Sequence, residues 1–392
     1  MITFPATRDA GLQRLREFLP LAGAEYTAGR NHVPGAVSHL SPYVRHRLVS
    51  EEEISRAALT HHGHAAAEKF LQELCWRTYW KGWLELRPAV WNNYLRDLDT
   101  LRASMVSDQE LAARIATAER GETGLECLDA WAQELQETGY LHNHVRMWFA
   151  SLWIHTLRLP WQLGADFFLR NLLDGDPASN TLSWRWVCGL QTRGKVYRAT
   201  AENIAKFTGG RFQPTGLDCG GDPPIATEEP IPPPDSLAPM SSPPKGTRLL
   251  LMSTVEDLTP EQWGIDPADV TGIVLVEARI PGASEIVTAF RKEALLDASR
   301  RAAAFFGAPV TILDSRNDAV PTIPDALSSE SQEILLMTPS VGLLPEEWMR
   351  TLSAQVPIRR FRRKWDSEFW PHATHGFFRF REQIPSVLGK FA

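Results

Sequence analysis

Two parts of different class are predicted for this 392-residue chain: an all-helical domain over residues 1–218 and an α/β domain over 247–392, joined by a linker at 219–246. Three observations predict the division. Apolar residues recur at three- and four-residue spacing through the first part, the period of a helix with one buried face. The stretch DPPIATEEPIPPPDSLAPMSSPPK then loses a backbone donor at each proline and favours extended geometry, so it connects rather than packs. Beyond it, short apolar runs alternate with helical ones, the rhythm of a parallel sheet with helical crossovers.

The helical elements follow in order as LREFLPLAGAEY, SEEEISRAALTHH, AAAEKFLQELCWRTYWKGWLEL, DQELAARIATAERG, LECLDAWAQELQETG and HNHVRMWFASLWIHTLRL. Ser50 followed by Glu51, Glu52 and Glu53 reads as a capping box, with acidic side chains at the positive end of a helix. After the linker, RLLLMST, GIVLVEA, PVTILDS and EILLMTP are the strand candidates, and SEIVTAFRKEALLDASRRAAAFF the long helix between two of them, which gives a Rossmann-like α/β layer. Neither G-x-G-x-x-G nor G-x-x-x-x-G-K-[ST] occurs, so the sequence carries no nucleotide phosphate motif. A final stretch, RRFRRKWDSEFWPHATHGFFRF from Arg359 to Phe380, mixes cations with aromatics and has two outcomes open to it: contact with nucleic acid, or packing back on the helical domain.

Composition narrows the classes. At 43% hydrophobic and 22% charged residues the chain is ordinary globular material, long enough for two or three cores. A formal charge of -6 argues against a protein that coats nucleic acid indiscriminately, though not against a local basic groove. Cys75, Cys127, Cys188 and Cys219 are far apart without metal-site spacing, and read as buried reduced thiols. With no basic, apolar leader at Met1–Arg14 and no long apolar run, a cytoplasmic protein with no membrane contact is expected. Fourteen tryptophans are the oddity, and ten of them fall within the first 186 residues, so that part uses large aromatic rings.

The densest collection of chemistry is LLDGDPASNTLSWRW, with Asp174, Asp176, Asn180, Trp184 and Trp186 inside thirteen residues. Paired acids serve metal or acid–base work, yet no His or Cys stands near enough to complete a ligand set. The same residues also suit a helix-capping turn beside core tryptophans.

The neighbouring segments add a resemblance. FPATRDAGLQRLREFL, Tyr26 with Arg30, SHLSPYVRHRLVS, FLQELCWRTYW, TGLECLDAWAQELQETGYLHNHVRMWFAS, W-x-x-G-x-x-F-F and LLDGDxAxN-WRW stand in the order and spacing of the FAD-binding domain of the photolyase/cryptochrome family, from about Phe4 to Phe212. The resemblance implies FAD as cofactor. It implies that Tyr26 and the Ser38-His39-Leu40-Ser41 turn hold the diphosphate and ribityl chain, that Arg77 is a further cofactor contact, and that Arg146 and Asp174 form an ion pair beside the flavin ring. Asp176 then meets the polar edge of the ring and Asn180 faces flavin N5. Trp184 and Trp161 match the proximal and middle members of the electron-transfer chain; no Trp stands at the distal position near Asp108, leaving Trp131, Trp148 or Trp153 as substitutes. On the substrate side, Glu73, Trp76, Asn143, Met147 and Trp186 match the pocket that takes a flipped pyrimidine dimer, and Arg30 a DNA backbone contact.

Departures accompany the match. His144 stands where a DNA-contacting Arg is usual, Val37 where a Thr binds flavin and Gln133 where another Arg is common. YRATAENIAKFTGGRF keeps Arg198 but loses the usual F-N-P. The α/β segment follows the helical domain, where photolyases place theirs first, and the resemblance leaves any antenna chromophore unidentified. The implied activity is a light-driven lyase: excited reduced FAD gives an electron to a pyrimidine dimer in single- or double-stranded DNA, the ring splits and the electron returns. A cryptochrome-like photoreceptor acting on a signalling partner is the alternative. A monomer is expected.

Overall fold

A computed structural model describes residues 2–192, 195–217, 230–240, 245–278, 280–314, 331–344 and 357–391. The helical part comprises α1 (Arg8–Phe18), α2 (Ala24–Gly29), α3 (Ser41–Arg45), α4 (Glu51–Glu85), α5 (Pro88–Ser104), α6 (Gln109–Arg120), α7 (Glu126–Thr138), α8 (Asn143–Ser151), α9 (Trp161–Asn171), α10 (Pro177–Val187) and α11 (Ala201–Phe207). Helix α4 is the spine. Ser50 and Glu53 form the expected capping box at its start, an arrangement that contributes about 1 kcal/mol, and two segments that read as separate helices join across a kink at Gly63, whose φ is 70°.

The second part holds β1 (Leu249–Thr254), β2 (Val270–Glu277), α12 (Glu285–Phe306), β3 (Val310–Asp314), β4 (Glu333–Met337) and β5 (Ile358–Phe361), in a parallel sheet of order β3-β2-β1-β4-β5. Strand β1, the middle strand, is buried along its whole length, as expected of an apolar run covered on both faces. Leu249, Leu251, Ile273, Leu275 and Leu335 face α12 and join the main core, while Leu250, Met252, Val274, Val276, Ile334 and Leu336 form a second cluster on the opposite face. Strand β5 was not among the strand candidates: Ile358-Arg359-Arg360-Phe361 sits at the sheet edge, where cations are tolerated.

The chain then returns to the helical part. Helices α13 (Lys364–Phe369) and α14 (Phe377–Leu388) pack along α4. The Trp365 indole N–H donates to Thr78 Oγ1 at 2.9 Å, and Trp370 lies against Gly82, where a Cβ would come within 2.8 Å of its ring and 3.0 Å of its backbone. Of the two outcomes open to the aromatic-basic stretch, the structure displays packing on the helical domain. Linker residues 230–240 also dock at the end of α4, with the Asp235 N–H on Leu86 O at 2.8 Å and Arg87 Nε on Pro232 O at 3.1 Å.

Where helices, sheet and C-terminal segment meet, charges are buried. Arg47 Nη2 donates to both carboxylate oxygens of Asp366 at 2.7 Å, its Nε to Glu51 at 3.1 Å and its Nη1 to Asp257 at 3.4 Å. Glu256 accepts from Lys81 at 2.8 Å and Arg45 at 3.2 Å. Burial alone would push the Glu256 carboxyl up, but Lys81 and Arg45 hold it well below the ordinary range.

Candidate functional site

The site is assembled by α4, the loop after α9, and α8. Gly175 lets that loop run beneath α9, and Asp176 then starts α10 as its N-cap, its Oδ1 accepting the Ala178 and Ser179 N–H groups at 2.9 Å each. The capping reading of this segment is therefore realised, and the second carboxylate oxygen does more: Arg77 of α4 and the Ser179 hydroxyl both bond it. Arg77 Nη2 also reaches the Asp174 carbonyl at 3.3 Å and its carboxylate at 3.8 Å.

Asp174 is 3% exposed and pairs with Arg146 Nη1 of α8 at 3.0 Å. Burial pushes its carboxyl up, yet Arg146, Arg77 and the Ser41 hydroxyl hold it below the ordinary value, so it stays an anion. Its Oδ1 has no hydrogen-bond partner in the protein. A buried carboxylate oxygen left without a donor costs about 1–3 kcal/mol, a cost that an N–H brought to this point would remove. Arg146 is anchored by Nε on Leu141 O at 2.9 Å and lies over the Tyr140 ring, 5.5 Å from its centroid. His39, in the left-handed region at φ 51°, tilts against the same ring at 5.2 Å, and burial next to Arg14 pushes its imidazole down to about 4. Through this chain of contacts the Ser38–Ser41 turn, Arg77, Arg146, Asp174 and Asp176 come to one place. Ser38 Oγ accepts the Leu40 N–H at 3.3 Å, and Leu40, buried, leads into α3.

One turn before Arg77 on α4, Glu73 is ion-paired with Arg30, the C-cap of α2. Burial pushes the Glu73 carboxyl up and Arg30 draws it partly back. Tyr26 belongs to this neighbourhood: its ring is T-shaped on Phe18 and Phe70, and burial and Glu73 push its hydroxyl up. Asn143 is exposed at the start of α8, and Met147, four residues on, is half-buried. His144 stacks on Phe207 at 5.2 Å and lies 4.7 Å from Trp148; burial and then Arg30 push its imidazole down. Trp76 is half-buried and stacks face to face on Phe377 of α14 at 3.5 Å, and Trp186 stacks on Tyr197 at 5.3 Å.

Among the tryptophans, Trp184 is 2% exposed, with ring contacts to Phe149, Phe168 and Trp153, the last at 6.3 Å. A methyl group on Gly164 would collide with the Trp184 and Trp153 rings, so glycine makes the close approach possible. Trp161 stacks on Tyr94 at 5.6 Å, and Trp131 on Trp148 at 5.6 Å. Asn180 Nδ2 donates to Ala165 O at 2.7 Å, which fixes its side chain in the wall. Tyr140 joins the site without having been singled out, and Trp153, named as one substitute for the distal position, stands instead beside Trp184. Tyr140 follows the left-handed Gly139 that ends α7, a signal for a turn that presents its next residue.

Where the two parts meet at the carboxyl ends of β2 and β4, a cavity of about 120 Å³ is lined by Arg45, Tyr94, Pro177, Ala278, Arg291 and Gly342. That is below the roughly 300 Å³ at which small-molecule sites begin. Among the described residues no group of three or more His, Cys, Asp or Glu is placed to hold a metal ion, and no helix is long and apolar enough to cross a membrane. Cys75, Cys127 and Cys188 are buried thiols; Cys219 lies outside the described residues.

Residues 70–211 match the model of the FAD binding domain of DNA photolyase. A deoxyribodipyrimidine photo-lyase of Streptomyces griseus is 34% identical over 186 residues, 47% of this chain and 39% of that protein. A counterpart from Thermus thermophilus is 32% identical over 215 residues, 53% of this chain and 48% of that protein. A class III photolyase structure from Agrobacterium tumefaciens aligns at 26% identity with a TM-score of 0.41, covering 52% of this chain and 43% of that one. The chain therefore spans less than half the length of these relatives.

Proposed function

Because the helical part of this chain belongs to the DNA photolyase/cryptochrome family and takes FAD as its cofactor, we propose that the protein is a light-driven repair enzyme acting on pyrimidine dimers in DNA. The observation that carries the reading is the partnerless Asp174 Oδ1, held between Arg146 and Arg77, with Trp76 next to Arg77 on α4 and Glu73 one helical turn before it. FAD, when bound, supplies one-electron chemistry driven by light. Asp174, Asp176, Arg77 and Arg146, with the Ser38–Ser41 turn and Tyr26, are the residues that would hold it. The Asn180 amide, tied to Ala165 O, would offer it a fixed polar group, and Trp184, with Trp153 or Trp161 behind it, would be the indole placed to pass an electron.

An extruded dimer enters beside Glu73, Trp76, Asn143, Met147 and Trp186. Aromatic faces stack the bases and the Glu73 carboxyl bonds their polar edge once Arg30 turns to the DNA backbone. The α/β part we read as a Rossmann-like, antenna-type layer placed after the flavin domain, with the division at 219–246.

One observation favours the cryptochrome-like alternative: His144, pushed toward the neutral form by burial and Arg30, offers little charge where the family's arginine would meet DNA. Illuminating the FAD-loaded protein with dimer-containing single-stranded and duplex oligonucleotides, and assaying restored bases, separates the two. Repair is expected, with Glu73→Ala lowering it while flavin stays bound. Flavin-loaded protein that changes its absorbance in light but restores no bases refutes repair and favours signalling.

A further inference from the structure

We propose that Phe377, on the C-terminal helix α14, is a positioning residue for substrate recognition, holding the Trp76 ring as one wall of the base pocket. The proposal rests on the repair reading above and adds to it a residue about 300 positions away in sequence.

Three observations lead there. The rings of Trp76 and Phe377 are nearly parallel, with an interplanar angle of 11° and centroids 3.5 Å apart, so Phe377 stacks on one face of the indole. Trp76 nevertheless remains half-buried rather than buried. Trp80, tilted at 5.4 Å, and Tyr79, T-shaped at 5.7 Å, also touch the ring, so its residual exposure belongs to the part that these rings and Phe377 leave uncovered, the surface a flipped base can stack on. Phe377 itself is 8% exposed and is packed from behind by Tyr79, T-shaped at 5.4 Å, and by Phe380, stacked at 5.9 Å. It is an anchored backing, not a loose side chain.

The anchoring extends down the segment. Phe380 meets Phe369, Phe369 meets Trp365, and the Trp365 indole is tied to Thr78 in the same stretch of α4 that carries Trp76. Gly82, further along that helix, admits Trp370 at a distance no larger residue allows. Indole planes pivot about χ1 and χ2 unless packed, and a stacked aromatic neighbour contributes about 0.5–1.5 kcal/mol toward one orientation. Removing it lets the Trp76 ring sample orientations that do not stack a base.

The test compares wild-type protein, Phe377→Ala, Phe377→Tyr and Gly82→Ala, each loaded with FAD, for binding of a dimer-containing single-stranded oligonucleotide in the dark and for repair per absorbed photon. Phe377→Ala should weaken dimer binding by roughly 2- to 10-fold, the stacking energy expressed as an affinity ratio, with FAD content and repair per photon at saturation unchanged. Phe377→Tyr restores binding. Gly82→Ala, which pushes the segment away through Trp370, should mimic Phe377→Ala. If wild-type protein binds the dimer and Phe377→Ala binds it equally well, the positioning role is wrong and the repair reading stands. Loss of FAD together with binding assigns Phe377 to the fold alone and overturns the role. Absence of dimer binding by wild-type protein refutes the repair reading and this role with it.

Discussion

Replacing Asp174 by Asn keeps the side chain's shape and removes its charge from a site where the carboxylate is 3% exposed, 3.0 Å from Arg146, and holds one oxygen that nothing in the protein satisfies. Two losses follow. A hydrogen bond from cofactor to a charged acceptor contributes about 1.5–3 kcal/mol, which corresponds to roughly 10- to 100-fold in the dissociation constant of FAD. The Arg146 guanidinium loses its countercharge, but it is 22% exposed and reaches water, so the fold should lose about 1–3 kcal/mol, less than the roughly 3–5 of a fully enclosed pair. Asp174→Asn should therefore purify folded but poor in flavin. The flavin-to-protein absorbance ratio and titration with FAD, followed by flavin fluorescence, measure the first loss; the urea midpoint measures the second. A variant that carries stoichiometric FAD at wild-type affinity would refute the assignment of Asp174 to the cofactor, whatever its stability.

Two further outcomes are expected. Trp153→Phe should slow light-driven flavin reduction more than Trp161→Phe, because Trp153 is the indole in ring contact with Trp184; the reverse order, measured by absorbance under blue light with an external donor, assigns the middle position to Trp161. Glu53→Gln should destabilise the protein by about 2 kcal/mol at neutral pH, since burial of this carboxyl is outweighed by bonds from Arg8, the Ser50 N–H and Gln262, which hold it at about 2. A depressed carboxylate stabilises the fold above its unfolded value near 4.5 and loses that contribution as pH falls toward 2. The gap in urea midpoint between wild type and variant should thus close across that window, and a constant gap would contradict the assignment.

What could be read from the sequence follows from how local each signal is. The Ser50 cap, strands β1 to β4 and the helix over Glu285–Phe306 depend on neighbours in sequence, and all stand where expected. Strand β5 escaped because its cations pay no penalty at an edge and so erase the apolar run. In the site, the Arg146–Asp174 pair was accessible only through the order of motifs, since residues so far apart in the chain announce no distance by themselves. The contact between Trp153 and Trp184 depends on Gly164, whose missing side chain looks ordinary in a helical stretch. The destination of the C-terminal aromatics was half legible: Phe377, Phe380, Ile384 and Leu388 recur on one helical face, which says that something is covered but not that it is Trp76.

Arg47 ties together stretches of chain that the linker separates. Its guanidinium is neutralised by Glu51 from the helices, Asp257 from beyond the first strand, and Asp366 from the returning segment. Cutting the polypeptide at the proline-rich stretch and expressing its first half alone would leave this cation with one anion in place of three and uncover the part of the core that the sheet and the returning segment share with the helices. The halves should therefore melt in a single cooperative transition, and the flavin-bearing half should need its companion supplied, in the same chain or as a separate fragment, in order to fold.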